Sequence, residues 1–165
     1  MRRQRVYVNE LKGLERSALN LAINALDRAY VPYSKSKVAA TIIGADNTTY
    51  TGVRVENCAY PSTQCAEAVA IGRMISTDGA SKEAVRGIVI VAEKPYEGDR
   101  RLVACGGCLQ MLWEFCKNDP NVRVIIVSHA PEDRTAGLYA EVWTIGELLP
   151  GAFGPESLET AEASA

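Results

Sequence analysis

The chain has 165 residues, with 18 Lys and Arg against 20 Asp and Glu, and a formal net charge of −2. This length fits one domain, and the near-neutral balance gives no electrostatic reason to expect a nucleic-acid partner. Hydrophobic residues make up 47% and charged residues 23% of the chain. These proportions are typical of a folded globular protein and exclude a disordered one.

The cysteine count is the unusual feature of the composition, with five cysteines beside one histidine. No stretch reaches the roughly 18 apolar residues of a membrane span, and the basic start M-R-R-Q-R has no apolar region or cleavage site behind it. We therefore expect a cytoplasmic protein without a membrane partner, whose thiols are reduced and whose arginines at 2, 3 and 5 form a solvated terminus. In such a compartment, clustered cysteines more often bind metal or act in catalysis than form disulfides.

The first predicted elements are a helix and a hairpin. Apolar residues, Leu21 among them, recur at helical spacing over residues 11–29, and Pro32 lies just past the predicted end. Residues 37–43 and 49–55 predict two strands, joined by a turn at 46–47.

Helices and strands alternate in the rest of the chain. Residues 64–77 predict a helix that Gly79 ends, and residues 106–116 predict a shorter helix. The nearly continuous apolar runs at 85–92 and 122–127 are typical of strands buried on both faces. The C-terminal part contains a possible fifth strand, a helical turn and a polar tail that we expect to be frayed, over residues 138–144, 145–149 and 156–165.

This order predicts an α/β fold, a three-layer α/β/α sandwich with a mixed, about five-stranded sheet. No linker, repeat or low-complexity segment interrupts it. We expect a single domain over residues 1–165, with its core at about 15–155.

Three cysteines lie at predicted helix starts. Cys65 opens one helix, and Cys105 and Cys108 open another. A CxxC turn brings two sulfurs together, and a third thiolate would complete a three-sulfur zinc site whose fourth, open position is typical of catalytic zinc. Helix N-termini also stabilise thiolates. Glu67, two residues after Cys65, is near enough to act as a general acid and base beside the ion.

Other interpretations of these cysteines remain open. The three thiols could be buried packing residues, or they could form a closed structural zinc site with His129 or Cys58 as the fourth ligand. The C-G-G-C string is also typical of a dithiol redox motif, which would leave Cys65 and Glu67 without a role. Cys58 and Cys116 are interpreted as packing residues, with a metal-proximal role left open for Cys58 near its strand end, and Trp113 and Trp143 as core or interface residues rather than base-stacking platforms.

The string Cys-Ala-Glu at 65–67, followed forty residues later by C-x-x-C at 105–108, resembles the signature of the zinc-dependent nucleoside deaminases. The pattern is most similar to the small, three-cysteine cytidine deaminases. The likeness covers about residues 15–158 and includes P-Y-S at 32–34, V-E-N at 55–57, Y-P at 60–61, Gln110, and E-L-L-P-x-x-F at 147–153.

The resemblance implies a zinc-dependent hydrolase of a cyclic amidine C–N bond. It would deaminate cytidine, deoxycytidine or a related aminopyrimidine nucleoside to a uridine-type product and ammonia, in pyrimidine salvage. It further implies a homotetramer, or a homodimer, with its sites at subunit interfaces. It implies zinc ligands at Cys65, Cys105 and Cys108. Glu67 would be the proton shuttle and would also hydrogen-bond ring N3, and Glu56 would contact the ribose. Ala66 would offer backbone contacts to the base, and Phe153 would reach into a neighbouring subunit's pocket.

Four positions depart from the family pattern. Arg54 replaces a ribose-binding asparagine, Ser36 replaces an aromatic residue, and Ala68 and Leu109 replace arginines. Three thiolates on Zn²⁺ leave a charge of −1, which those family arginines offset in part. The candidates to offset it here are the helix dipoles or a basic side chain folded over the site, from Lys35, Lys37 or Arg101.

Two alternatives follow from these departures. The arginine lost at Ala68 is also missing in the blasticidin S deaminases, whose substrate carries a carboxylated sugar. Because a guanidinium binds a carboxylate through two hydrogen bonds, Arg54 fits a modified, anionic cytosine nucleoside such as a blasticidin-type antibiotic. The other alternative is a non-catalytic zinc-binding member of the fold.

Overall fold

The computed structural model describes residues 4–79, 85–93, 103–128, 139–155 and 157–158. Several features discussed above lie outside the described residues: Arg2 and Arg3, most of the loop after Glu93 with Arg101, His129, and nearly all of the tail at 156–165.

Six described strands form one mixed sheet: β1 (Gln4–Tyr7), β2 (Val38–Gly44), β3 (Thr49–Val53), β4 (Val85–Ala92), β5 (Arg123–Ser128) and β6 (Tyr139–Thr144). Their order across the sheet is β1-β6-β5-β4-β2-β3. Strands β4 and β5 run parallel, and the other neighbours are antiparallel. The predicted hairpin is the pair of β2 and β3.

Helices cover both faces of this sheet. Helix α1 (Gly13–Ala25) packs on one face, and α2 (Ala66–Asp78), α3 (Gly106–Glu114) and the short α4 (Ile145–Leu148) lie on the other. Short 3-10 turns occur at Val8–Glu10, Leu26–Arg28 and Tyr60–Ser62. The predicted α/β class, with helices on both faces of a mixed sheet, is confirmed.

The central strand β4 shows why the apolar runs belong in the middle of the sheet. Successive side chains of a strand point to opposite faces. Val89 and Val91 accordingly join the core under α1, whereas Ile88 and Ile90 join the core under α2 and α3. A strand buried on both faces needs apolar residues at every position, as residues 87–92 have here, whereas Arg86 near the strand start is exposed.

The prediction of about five strands was wrong by one. Strand β1 pairs with β6 at the sheet edge, where Arg5 lies 3.7 Å from Glu141 and keeps 55% of its side chain exposed. Only Val6 of β1 is even partly buried. Four mostly exposed residues leave no hydrophobic period, so nothing local distinguishes this strand from a loop.

Some predicted boundaries and packing positions also differ. The helix predicted over 11–29 ends at Ala25 and continues only as a 3-10 turn, and Leu21, expected on its packed face, is exposed. The strand predicted to reach Val55 ends at Val53. The chain then pairs elsewhere: Val55 bridges both Tyr30 and Gln64. This departure from the sheet leads directly into the functional site.

Candidate active site

The start of α2 rests closely on β3 because residue 52 is a glycine. A Cβ at Gly52 would lie 2.4 Å from the Ala70 backbone nitrogen and 2.5 Å from the Ala66 carbonyl oxygen. Only a residue without a side chain permits this approach. The contact holds the first turn of α2 against the sheet, and with it Cys65 at the N-cap and Glu67 in that turn.

The start of α3 supplies the other two cysteines. Cys105 is the N-cap residue, and its Sγ accepts a hydrogen bond from the Cys108 backbone nitrogen at 3.4 Å. Further along the helix, Gln110 donates through Nε2 to the Phe153 carbonyl oxygen at 2.8 Å. This bond ties α3 to the segment that follows α4.

The three Sγ atoms lie within 4.8 Å of one another. A tetrahedral zinc ion with bonds of about 2.3 Å requires sulfurs about 3.8 Å apart, so the cluster fits this ion with a small contraction. Among the described residues, no fourth Cys, His, Asp or Glu joins the cluster. Cys58 is exposed and outside it, and the Glu67 carboxylate is not a member. Three soft sulfur donors fit zinc and leave one position open.

The thiols also interact with one another. The Cys108 thiol donates a hydrogen bond to Cys65, which lowers the pKa of the Cys65 thiol to about 6 and raises the pKa of Cys108. A hydrogen bond from Cys105 lowers the pKa of Cys65 further. The cluster therefore holds a thiolate at neutral pH, which is the form that binds metal.

Glu67 is buried beside the cluster, with 6% of its surface exposed. Burial raises the pKa of its carboxyl group, while a hydrogen bond with Cys108 and the charge of Arg54 act in the opposite direction. A carboxyl group shifted towards neutrality can both accept and return a proton, as general acid and base catalysis requires.

Glu56 is almost fully enclosed by the P-Y-S segment. Its Oε2 accepts the backbone N–H groups of Tyr33 at 3.0 Å and Ser34 at 3.1 Å, and its Oε1 accepts the Ser34 hydroxyl. These hydrogen bonds lower the pKa of the Glu56 carboxyl group, and the bond from the Ser34 hydroxyl has the largest effect. Only 5% of the residue is exposed. Ser34 lies within the P-Y-S motif, but no signal in the sequence identifies it as the partner of Glu56.

The remaining predicted site residues differ in exposure. Arg54 lies with Nε 3.4 Å from Glu56 Oε1 and has 23% of its side chain exposed. Ala66 is buried at the start of α2, whereas Phe153 is 59% exposed. Lys37 does not fold over the site, because its ammonium group binds Asp27 at 2.8 Å and Glu93 at 3.4 Å.

The other cysteines and the tryptophans were interpreted as packing residues. Cys116, Trp113 and Trp143 are buried in the core under α2 and α3, and burial raises the pKa of the Cys116 thiol to about 12. For Cys58 the interpretation was wrong: it is exposed, and its Sγ lies 3.6 Å from Asn57 Oδ1. The chain leaves the sheet after Val53, so Cys58 is carried away from the core.

The arrangement of three sulfurs at two helix starts, with a buried glutamate beside them, fits the general signature of the zinc-dependent deaminases. Residues 13–127 match the family model of the cytidine and deoxycytidylate deaminase zinc-binding region. The cytidine deaminase of Sporosarcina psychrophila is 35% identical over 137 residues, which are 83% of this chain and 89% of that protein. The cytidine deaminase of Halalkalibacterium halodurans is 34% identical, over 83% and 92% of the two chains.

Solved structures agree with these sequence matches. The crystal structure of cytidine deaminase from Burkholderia pseudomallei superposes with a TM-score of 0.67 at 28% identity, covering 84% of this chain and 98% of that one. The enzyme from Mycobacterium tuberculosis gives 0.61 at 29% identity, covering 84% and 96%. This chain belongs to the cytidine deaminase family, and the family resemblance and the zinc cofactor predicted from sequence are confirmed.

Proposed function

We propose that this protein catalyses the hydrolytic deamination of cytidine or deoxycytidine, giving the uridine-type product and ammonia. The observation that carries the proposal is the buried Glu67 beside the cluster of three Sγ atoms within 4.8 Å. A dithiol redox protein would need only the Cys105 and Cys108 pair, and it would have no use for a third thiol or a buried carboxyl group.

Cys65, Cys105 and Cys108 would hold the zinc ion. When bound, zinc supplies the Lewis acidity that activates water for attack at C4 of the pyrimidine. Glu67 takes a proton from that water, delivers it to ring N3, and passes the second proton to the departing amine. Its burial suits both steps, because a raised pKa makes the carboxyl group a better proton acceptor and an available donor.

The substrate contacts are proposed at four residues. Glu56 and Arg54 would face the sugar, and Ala66 would offer backbone groups to the base. Phe153 would close the site of a neighbouring subunit, which its 59% exposure in the single chain supports. This arrangement requires a homotetramer, or a homodimer. We further propose that the chain is a single domain that acts in the cytoplasm, in pyrimidine salvage. Among the described residues, no helix has the length and apolar character to cross a membrane.

The first test replaces Glu67 by Gln. We expect zinc to be retained and the turnover of cytidine to fall by roughly 10²- to 10⁴-fold, the usual contribution of a general acid and base. Glu114→Gln, at an exposed position of α3, is the matched control and should keep wild-type turnover. Ultraviolet absorbance follows the reaction and elemental analysis gives the zinc content. Undiminished turnover in Glu67→Gln would refute the assignment.

The second test concerns the metal. Cys65→Ala should lose most of its zinc, whereas Cys58→Ala, at an exposed cysteine outside the cluster, should keep the wild-type content. The deaminase activity of the wild type should also fall when a chelator removes the ion. Equal zinc content in the two variants would exclude the three-sulfur site.

A second candidate substrate class is a cytosine nucleoside with a carboxylated sugar, which the guanidinium of Arg54 favours. The comparison of turnover between cytidine and such a nucleoside tests it. A clear preference for plain cytidine removes this candidate and leaves the main proposal intact.

A further inference from the structure

Negative charge is concentrated around the cysteine cluster. Three thiolates and one divalent ion leave a net charge of −1, and the almost completely buried carboxyl group of Glu67 lies beside them. Burying like charges together is costly unless a cation compensates them. Lys37 is bound to Asp27 and Glu93 and does not serve this site.

The pairing of the chain between β3 and α2 identifies a cation that does. Val55 and Gln64 form an antiparallel bridge, with Val55 N donating to Gln64 O at 3.0 Å and Gln64 N donating to Val55 O at 2.9 Å. In an antiparallel pair the flanking residues also oppose each other and share one face. The residue before Val55 is Arg54, and the residue after Gln64 is Cys65. The register therefore sets Arg54 opposite the first metal ligand.

The guanidinium group is held at this place but keeps its hydrogen-bonding capacity. The Arg54 backbone nitrogen donates to Val38 O at 2.9 Å, which anchors the residue at the end of the hairpin. Its Nε lies 3.4 Å from Glu56 Oε1, yet it is buried and donates no hydrogen bond. The strand register and the ion pair together place one cation opposite Cys65 and beside Glu56.

We propose that Arg54 is the positioning residue that compensates the charge of the three-thiolate zinc centre, and that it does so from across the strand bridge to Cys65. Glu56, held by Ser34 and Tyr33, forms an ion pair with this guanidinium and competes with the zinc centre for its charge. The inference rests on the zinc site proposed above and adds a determinant of zinc affinity that lies outside the ligand set.

The experiment measures zinc affinity without substrate, by competition with a chromophoric chelator. Arg54→Gln removes the charge, and Arg54→Lys keeps it. Arg73→Gln is the matched control, because Arg73 is an exposed arginine of α2 whose Nη1 only donates to Thr51 O at 3.3 Å. We expect Arg54→Gln to bind zinc roughly 10- to 100-fold more weakly, the usual range for residues that support metal ligands. Arg54→Lys should recover most of the affinity, and Arg73→Gln should match the wild type.

A further variant separates charge from architecture. Glu56→Gln breaks the ion pair but keeps the cation, so we expect it to retain zinc at least as tightly as the wild type. Circular dichroism establishes that each variant is folded. If Arg54→Gln is folded and binds zinc as tightly as the wild type, the inference is overturned; a raised KM for cytidine in that variant then assigns Arg54 to the substrate. Equal losses of zinc affinity in Arg54→Gln and Arg54→Lys also overturn the inference. If Arg54 had only a structural role, keeping the positive charge in Arg54→Lys would not restore the affinity. A wild type that binds no zinc contradicts the proposed function instead.

Discussion

The two helix starts that carry the cysteines are supported differently. The start of α2 lies on the sheet at Gly52, with no space for a Cβ between them, and Ala66 and Glu67 are buried there. The start of α3 begins with Gly106, which has no neighbour within 4 Å of a hypothetical Cβ, and Cys105 is exposed. The metal site therefore joins a half fixed by sheet packing to a half that is more open to solvent.

This difference indicates where the site tolerates change. Backbone contacts at the α2 start have no room to adjust, because protein interiors are close-packed and overpacking shifts main-chain atoms. The α3 start depends on its helix packing in the core, on the N-cap bond to Cys105 Sγ and on the bond from Gln110 to Phe153. Changes on the α2 side should therefore have the larger effects.

Gly52→Ala tests the fixed half and should have the largest effect. The new methyl group would meet backbone atoms of Ala66 and Ala70 at 2.4–2.5 Å, so α2 must move. We expect a loss of about 1–3 kcal/mol or more in the free energy of unfolding, together with weaker zinc binding. Urea unfolding and zinc titration measure the two effects.

Gly72→Ala is the control for this variant, because Gly72 lies within the same helix and a Cβ there meets nothing within 4 Å. It should stabilise the protein by roughly 0.5–1 kcal/mol, as alanine does in a helix interior. Similar results for the two glycines would contradict the close packing of α2 on β3.

Glu56→Gln tests the segment that leads into the fixed half. Because folding lowers the pKa of Glu56, its contribution to stability is present above the unfolded-state value of about 4.3 and is lost as the pH falls through the lower folded value. The wild type should therefore have a larger free energy of unfolding than Glu56→Gln at pH 7. This difference between the two proteins should become smaller below about pH 4. Urea unfolding at both pH values measures it; a gap independent of pH would exclude the ionised carboxylate as its source.

Gln110→Ala tests the open half and should have the smallest effect. It removes the exposed hydrogen bond to the Phe153 carbonyl. We expect a loss of at most about 1 kcal/mol in the free energy of unfolding, with zinc content unchanged. A loss as large as that of Gly52→Ala would mean that the two halves are equally constrained.

Most of the fold was predictable because its elements carry strong local signals. The apolar runs of β4 and β5 predicted buried strands, and Gly79 ends α2 with a φ of 68°, as predicted for a helix stop. Strand β1 was missed because four mostly exposed residues carry no such signal, and its pairing with β6 is a long-range contact.

The sequence alone determined which groups the candidate site contains. A helix start brings Cys105 and Cys108 together because residues three apart lie close there, but only the packing of α2 and α3 on the same core places Cys65 and Glu67 beside them. Only the tertiary structure decided how the surrounding charges are arranged. Strand register places Arg54 opposite Cys65. Loop packing lets Ser34 bind Glu56 and lets Lys37 pair with Asp27. These contacts join segments that are separated along the chain, by 10 residues for Lys37 and Asp27 and by 22 for Ser34 and Glu56, so no local pattern in the sequence identifies them.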